Sequence, residues 1–347
     1  MTTLVLGIET SCDETAAAVV RDGREILSNV VFSQTKLHER WRGVVPEVAS
    51  RSHTTRILPT IEEALTTAGA SPQELAGVAV SHRPGMIGCL LVGLSAAKAL
   101  SWRFRVPLVG VDHVLAHVHA GYMSVSELAL PSVALIASGG HTALYAVTGP
   151  LRCERIGSTR DDAAGEALDK GAALLGLPYP GGPAIQEAAK RGDPKRLALP
   201  RTMLAKDSLD FSFSGMKTAL LYALRGNALQ RPMPELTEQD VADYAASYQQ
   251  AIVDVLVEKI VLAVRGVGAR SISIGGGVAR NALLRERLKE RRELASCQVV
   301  FPPLDLCSDN GAMIAGLGAC MLAQCETSDL GLEAFATTRP HPRTLAR

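Results

Sequence analysis

The sequence predicts an α/β protein built from two related lobes, on three observations. A buried strand, a small polar turn and a second strand open the chain over Leu4–Val20, and the same arrangement returns over Ser132–Val147. Around these entries, short apolar runs alternate with stretches of helical period, the pattern of a layered α/β architecture. Of 347 residues, 47% are hydrophobic, enough for two domains with cores of their own.

The first entry joins Leu4-Val5-Leu6-Gly7-Ile8 to Thr15–Val20 through Glu9-Thr10-Ser11-Cys12-Asp13-Glu14. The second joins Ser132-Val133-Ala134-Leu135-Ile136 to Thr142–Val147 through Ala137-Ser138-Gly139-Gly140-His141. Turns this small and polar can turn backbone amides toward an anion. Val78-Ala79-Val80 leads past Pro84-Gly85 to a small-residue helix over Ile87–Leu100, and Pro107–Val111 is a strand running into a helix with His113 and His117. Helical period covers Asp161–Leu175 and Asp240–Val264. Ser271–Ile274 is a strand ending in Gly275-Gly276-Gly277, with a helix beyond it through Leu288. The lobe boundary is expected near Leu128–Pro131, giving an N-terminal lobe of residues 1–129 completed by 308–347 and a C-terminal lobe of residues 130–307. A ligand cleft is expected between the two.

Charge narrows the field of partners. Lys and Arg number 36 against 35 Asp and Glu, a net charge of +1, so the chain as a whole carries no polyanion signal. Contacts to RNA would rest on the basic groups at Arg40–Arg56, Lys190–Lys206 and Arg280–Arg292, each of which also fits an ordinary solvated face. The seven cysteines are odd in number and form no C-x-x-C pair, which indicates a reducing compartment. The start, Met1-Thr2-Thr3-Leu4, lacks the basic and apolar regions of a leader. No apolar run is read as approaching the roughly 18 residues of a membrane span. A cytoplasmic location with no membrane is the expectation.

Chemistry concentrates in Asp112-His113-Val114-Leu115-Ala116-His117. At about 100° per residue, imidazoles at i and i+4 share a helix face and can reach one cation. A carboxylate must come from elsewhere, and Asp309 in Cys307-Ser308-Asp309-Asn310-Gly311 is the candidate. Two His and one carboxylate suit iron(II) or zinc with coordination positions left for substrate. The same residues also fit ordinary helix histidines and an aspartate that caps the following helix. H-E-x-x-H peptidase chemistry is disfavoured, because Val114 stands where that motif needs glutamate.

Three further segments draw notice. Gly275-Gly276-Gly277 before Val278-Ala279-Arg280-Asn281 reads as a nucleotide-contact loop or as a tight strand-to-helix turn, and it is not G-x-G-x-x-G. Asp162, Glu166 and Asp169 form a carboxylate stripe beside the turn Tyr179-Pro180-Gly181-Gly182-Pro183, either a solvated face or a carboxylate aimed at ribose hydroxyls. Phe211–Thr218 reads as an ordered loop entering a helix.

Read in order, these segments resemble the tRNA threonylcarbamoyladenosine transferase family (TsaD, formerly Gcp). The resemblance rests on Gly7–Thr15, Gly43-Val44-Val45-Pro46-Glu47, Ser138-Gly139-Gly140-His141, Asp161–Lys170, Tyr179–Pro183, Phe211–Thr218, Gly276-Gly277-Val278 and Ser308–Met313. It implies the fold of actin, hexokinase and the heat-shock chaperone ATPases (ASKHA), two ribonuclease-H-like lobes around a nucleotide cleft. It implies transfer of a threonylcarbamoyl group from threonylcarbamoyl-adenylate to the exocyclic amine of the adenosine 3′ of the anticodon in tRNA, releasing AMP. By resemblance His113, His117 and Asp309 hold one divalent metal, iron(II) before zinc. Ile136, Ala137, Ser138, Gly139, Gly140, His141, Asp169, Gly182 and Asn281 are implied to bind the donor. Asp13 is the candidate acceptor of the amine proton, or an acidic turn residue that only shapes the hairpin. A TsaB-like paralogue and a TsaE-like ATPase are the implied partners, with a separate synthase making the adenylate.

The chain departs from the family pattern at Trp41-Arg42, at Arg83 before Pro84-Gly85, at Val114-Leu115-Ala116 between the histidines, and at Arg280. Arg83 replaces a glycine and is expected at the mouth of the cleft, either contacting a phosphate or blocking the donor. An actin-fold ATPase or phosphotransferase and a non-catalytic paralogue are the alternatives.

Overall fold

The computed structural model describes residues 2–41, 43–202, 207–226 and 232–337. Arg42, Lys206 and the segment 338–347, all part of the expectations above, lie outside the described residues.

The chain divides into two compact units. The first comprises Met1–Glu127, Gly149–Glu154 and Pro302–Arg347. It opens with β1 (Leu4–Glu9), β2 (Glu14–Arg21), β3 (Glu25–Ser33), the short α1 (Thr35–His38) and α2 (Pro46–Ala68). It continues with β4 (Leu75–Arg83), α3 (Ile87–Phe104), β5 (Leu108–Asp112) and α4 (His113–Met123). The second unit, Leu128–Thr148 with Arg155–Phe301, contains β6 (Ser132–Ala137), β7 (Thr142–Gly149) save its last residue and the latter part of β8 (Arg152–Ser158), then α5 (Ala164–Leu174) and α6 (Gly181–Ala189). α7 (Ser214–Arg225), α8 (Glu238–Val267), β9 (Ser271–Gly275), α9 (Ala282–Glu290) and β10 (Gln298–Val300) follow. α10 (Leu304–Cys307) and α11 (Gly311–Ala323) return to the first unit.

The two sheets repeat one order. The first runs β3-β2-β1-β4-β5, with β1 antiparallel to β2 and parallel to β4. The second runs β8-β7-β6-β9-β10, with β6 antiparallel to β7 and parallel to β9. Strands buried on both faces read as unbroken apolar runs, which is why β1 and β6 stand out in the sequence. β3 at the sheet edge has only Ser28 buried among exposed and half-buried residues and gives a weaker signal.

α11 lies on β1, and two glycines allow the approach. A Cβ on Gly7 would meet the Gly311 carbonyl, and one on Gly311 would meet the Ala17 backbone at 2.6 Å. Val5, Ala18, Val111, Ala116, Met313 and Leu317 close the core between helices and sheet. This packing places the residues just before α11 near the start of α4.

α3 is 18 residues long and, among the described residues, the one helix apolar enough to cross a membrane by length and composition. That differs from the expectation that no run approaches such a length. Its apolarity has a local cause, since Cys89, Leu90, Gly93, Leu94 and Ala97 are buried in the first unit.

Candidate metal centre

β5 ends at Asp112, whose Oδ1 accepts the amides of Val114 (3.0 Å) and Leu115 (3.2 Å) and so caps α4. The cap sets His113 as the first helical residue and His117 one turn on. Their ring centroids lie 4.8 Å apart, nearly perpendicular at 86°. Asp309 arrives from the loop before α11, 192 residues on from His117, and its Oδ1 lies 3.1 Å from His117 Nε2 and 3.5 Å from His113 Nε2. The cap of α11 is Asn310, which accepts the Met313 amide at 2.9 Å. Asp309 is therefore not needed as the cap.

The donor set fits a divalent ion. One ligand atom from each of the three residues falls within 4.8 Å of the others. Atoms about 2.1 Å from a shared ion stand about 3.0–3.4 Å apart at ordinary coordination angles, close to the two N···O separations. The other face of His113 is already anchored, with Nδ1 donating to Glu9 Oε2 at 2.8 Å. A carboxylate behind a ligand imidazole fixes its tautomer and leaves Nε2 to the ion. Glu9 is 0% exposed, and its other oxygen accepts the Ser11 amide. Burial opposes charge on His113, but Glu9 and Asp309 outweigh it and raise its pKa to about 9. The pocket thus favours positive charge at this spot. Nδ1 of His117 is buried with no hydrogen-bond partner, so that ring is held on its Asp309 side alone.

Asp13 lies half-buried in the turn between β1 and β2. Its charge and that of Asp309 act on the neighbouring Cys12 and Glu14. Burial pushes the Glu14 carboxyl well above its ordinary range, and the charges of Asp13 and Asp309 add to that.

The remaining expected residues belong to the second unit. Ile136 and Ala137 are buried strand residues, while Gly139 and Gly140 are exposed, and a Cβ on either would meet nothing within 4 Å. Ser138 closes the turn, its amide donating to the His141 carbonyl at 2.8 Å and its hydroxyl accepting the His141 amide at 3.1 Å. Gly276 has φ 83° and packs directly on the Ala137 carbonyl, so the triple-glycine turn and the β6–β7 turn lie side by side. Asp169 accepts the Gly181 amide at 2.6 Å, which pins the turn carrying Gly182. Asn281 is 7% exposed and engaged at both ends, its Oδ1 accepting the Leu284 amide and its Nδ2 donating to Gln249 Oε1 at 2.9 Å.

Two expectations change. The helix expected from Asp161 begins at Ala164, because Asp161 instead accepts from Ser212 Oγ (2.6 Å), Phe213 N (2.7 Å), Ser214 N (3.1 Å) and Ser214 Oγ (2.8 Å). A side chain that serves so many loop donors competes with helix formation. Arg83 is not an open cation but 7% exposed, donating from Nε to His82 Nε2 at 3.0 Å with its guanidinium 4.7 Å from the Phe335 ring centre. Glu9 was missed as a functional residue. The available signal was a carboxylate closing a fully apolar strand, since buried charges need partners.

Paired sheets of this order define the actin, hexokinase and heat-shock ATPase class, and a His–His–carboxylate set within it marks a metal-dependent enzyme. The fold is shared with the crystal structure of T. kodakarensis HypF, at TM-score 0.63 and 16% identity over 93% of this chain and 48% of that one. The family model described as TsaD, tRNA N6-adenosine threonylcarbamoyltransferase, matches residues 25–316. The tRNA N6-adenosine threonylcarbamoyltransferase of Thermomicrobium roseum is 47% identical over 99% of both chains, and that of Geobacillus thermodenitrificans 51% identical over 95% of both. The chain belongs to this family of transferases, which modify tRNA.

Proposed function

We propose that the enzyme takes threonylcarbamoyl-adenylate as donor and acylates the exocyclic amine of the adenosine 3′ of the anticodon. The convergence of His113, His117 and Asp309 from distant parts of the chain carries this reading. One N–C bond forms, the mixed-anhydride C–O bond breaks, AMP leaves with the bonding electrons, and the amine loses a proton.

His113, His117 and Asp309 hold a single divalent ion, iron(II) in preference to zinc, since imidazole and carboxylate donors with open positions suit iron(II). When bound, the ion supplies Lewis-acid polarisation of a carbonyl oxygen and a fixed point for the acyl group. Glu9 orients His113. Asp13 accepts the amine proton. The exposed amides at Gly139 and Gly140 and the turn bearing Gly182 bind the adenylate end, with Ile136, Ala137, Ser138 and His141 shaping the first turn. Asp169 and Asn281 act through the turns they anchor. A TsaB-like paralogue and a TsaE-like ATPase serve as partners, and the enzyme works in the cytoplasm without a membrane.

The test is to incubate the protein with the adenylate, unmodified tRNA and those partners, then to digest the tRNA and identify nucleosides by mass spectrometry. Threonylcarbamoyladenosine formed with equimolar AMP is the expected result. Phosphate release from ATP by the protein alone, with no modified nucleoside in the full mixture, would instead identify an ATPase.

A further inference from the structure

The turn between β1 and β2 lies outside their ladder, so the carbonyls of Ser11, Cys12 and Asp13 need partners from elsewhere. The Ser11 carbonyl accepts the Met86 amide at 3.0 Å, and the Asp13 carbonyl accepts the Gln34 amide at 3.0 Å. Between them, the Cys12 carbonyl is met by a side chain, with His53 of α2 donating from Nε2 at 2.9 Å. That carbonyl belongs to the peptide that joins Cys12 to Asp13.

The His53 ring is set from both edges. A carbonyl can only accept, so Nε2 carries the proton and Nδ1 accepts, from the Thr15 hydroxyl at 2.7 Å and Gln34 Nε2 at 3.4 Å. Gln34 is oriented in turn. Its Oε1 accepts from His38 Nε2 at 3.3 Å, while His38 Nδ1 accepts the Val45 amide at 3.3 Å, just ahead of α2. Thr15, Gln34, His38 and His53 are all buried, and burial holds the His53 pKa below its ordinary value, so the ring stays neutral. Every donor in this chain meets an acceptor in one consistent sense, and a buried network satisfied in that way is rigid. It ends on the peptide before Asp13, whose own residue is only half-buried. We propose that His53, with its tautomer held by Thr15, Gln34 and His38, is a positioning residue that fixes the Cys12–Asp13 peptide and so aims the Asp13 carboxylate. This rests on Asp13 accepting the amine proton.

The test measures kcat and KM for transfer from the adenylate to unmodified tRNA, using the full-length protein with its partners. Cobalt(II) affinity and thermal unfolding are measured beside it. Asp13→Asn is expected to slow transfer about 100-fold, the lower end of what a positioned general base contributes. His53→Ala is expected to lower kcat about tenfold, a part of that contribution, with KM for the adenylate and cobalt(II) affinity unchanged. His53→Gln, whose amide can still donate to the Cys12 carbonyl, recovers most of the rate. In the Asp13→Asn background His53→Ala costs nothing further, because there is no carboxylate left to aim. A wild-type kcat in folded His53→Ala, a full tenfold further loss in the double variant, or no recovery in His53→Gln overturns the proposal. Should His53→Ala fail to fold, Thr15→Val keeps the ring and removes the hydroxyl that sets its tautomer. It is expected to lower kcat in the wild-type background alone, and an equal loss beside Asp13→Asn overturns the proposal. Asp13→Asn at the wild-type rate removes the acceptor reading and the proposal together, whereas a slow Asp13→Asn beside an unaffected His53→Ala leaves that reading standing.

Discussion

The carboxylate of Glu9 lies 2.8 Å from Nδ1 of His113, on the ring edge away from Asp309. The imidazole is therefore clamped between a buried carboxylate that fixes its orientation and one that shares its ligand face. Glu9→Gln keeps the size of the side chain and removes the charge. It should weaken cobalt(II) or iron(II) affinity tenfold or more, in the range of about 10–100-fold for such partners, with the fold retained. Calorimetric titration against wild type measures this, and equal affinity would show that the ring needs no anchor.

The glycines of the second unit should separate by substitution. Gly276→Ala strains a φ of 83° and drives a Cβ into the Ala137 carbonyl, and should cost about 1–3 kcal/mol. Gly139→Ala meets nothing within 4 Å and should fold like wild type. Its added methyl beside the open amides should still weaken binding of a non-hydrolysable adenylate analogue. Thermal unfolding and calorimetry on both variants give the comparison; equal unfolding temperatures would mean that the close Gly276 contact is easily relieved.

Asn281→Ala removes the α9 cap and leaves the Gln249 carbonyl oxygen without its donor. The expected loss is about 2 kcal/mol of stability, a cap plus part of a buried hydrogen bond. Denaturant unfolding reads it directly. A variant as stable as wild type that binds the analogue weakly would show that Asn281 meets the ligand itself.

Asp161 sets an acid limit on the loop before α7. Burial raises its pKa, but the Ser212 and Ser214 hydroxyls and the Phe213 and Ser214 amides outweigh this and hold it below the ordinary value. A carboxylate depressed in the fold stabilises above its unfolded pKa of about 3.9. That contribution disappears as pH falls through the lower folded value. Asp161→Asn should unfold at lower temperature than wild type at pH 7, and the gap should close as pH drops below about 4. A gap of constant size down to pH 3 would place the effect in shape rather than charge.

Sequence alone determined the features that depend on neighbours along the chain. Buried strands such as Leu4–Ile8 and Ser132–Ile136 show as apolar runs because both faces are covered, and His113 and His117 share a face because helix period requires it. The metal set itself reached across to Asp309 only as a candidate, and the adenylate residues came from family resemblance rather than from their physics. Edge strands were less legible, because half-solvated segments such as Glu25–Ser33 carry little apolar contrast. Tertiary structure decided the rest, since each case turns on a partner far away in sequence. It put Glu9 behind His113, gave Asp161 to the loop at Ser212–Ser214 instead of to a helix, and occupied both ends of the Asn281 amide. It also buried the cation of Arg83, which local sequence places near a turn, because a segment some 250 residues later brings the Glu333 carbonyl to the neighbouring His82 ring and the Phe335 ring to the guanidinium. Hydrogen bonds and burial are satisfied in three dimensions, and only the fold says which distant group does so.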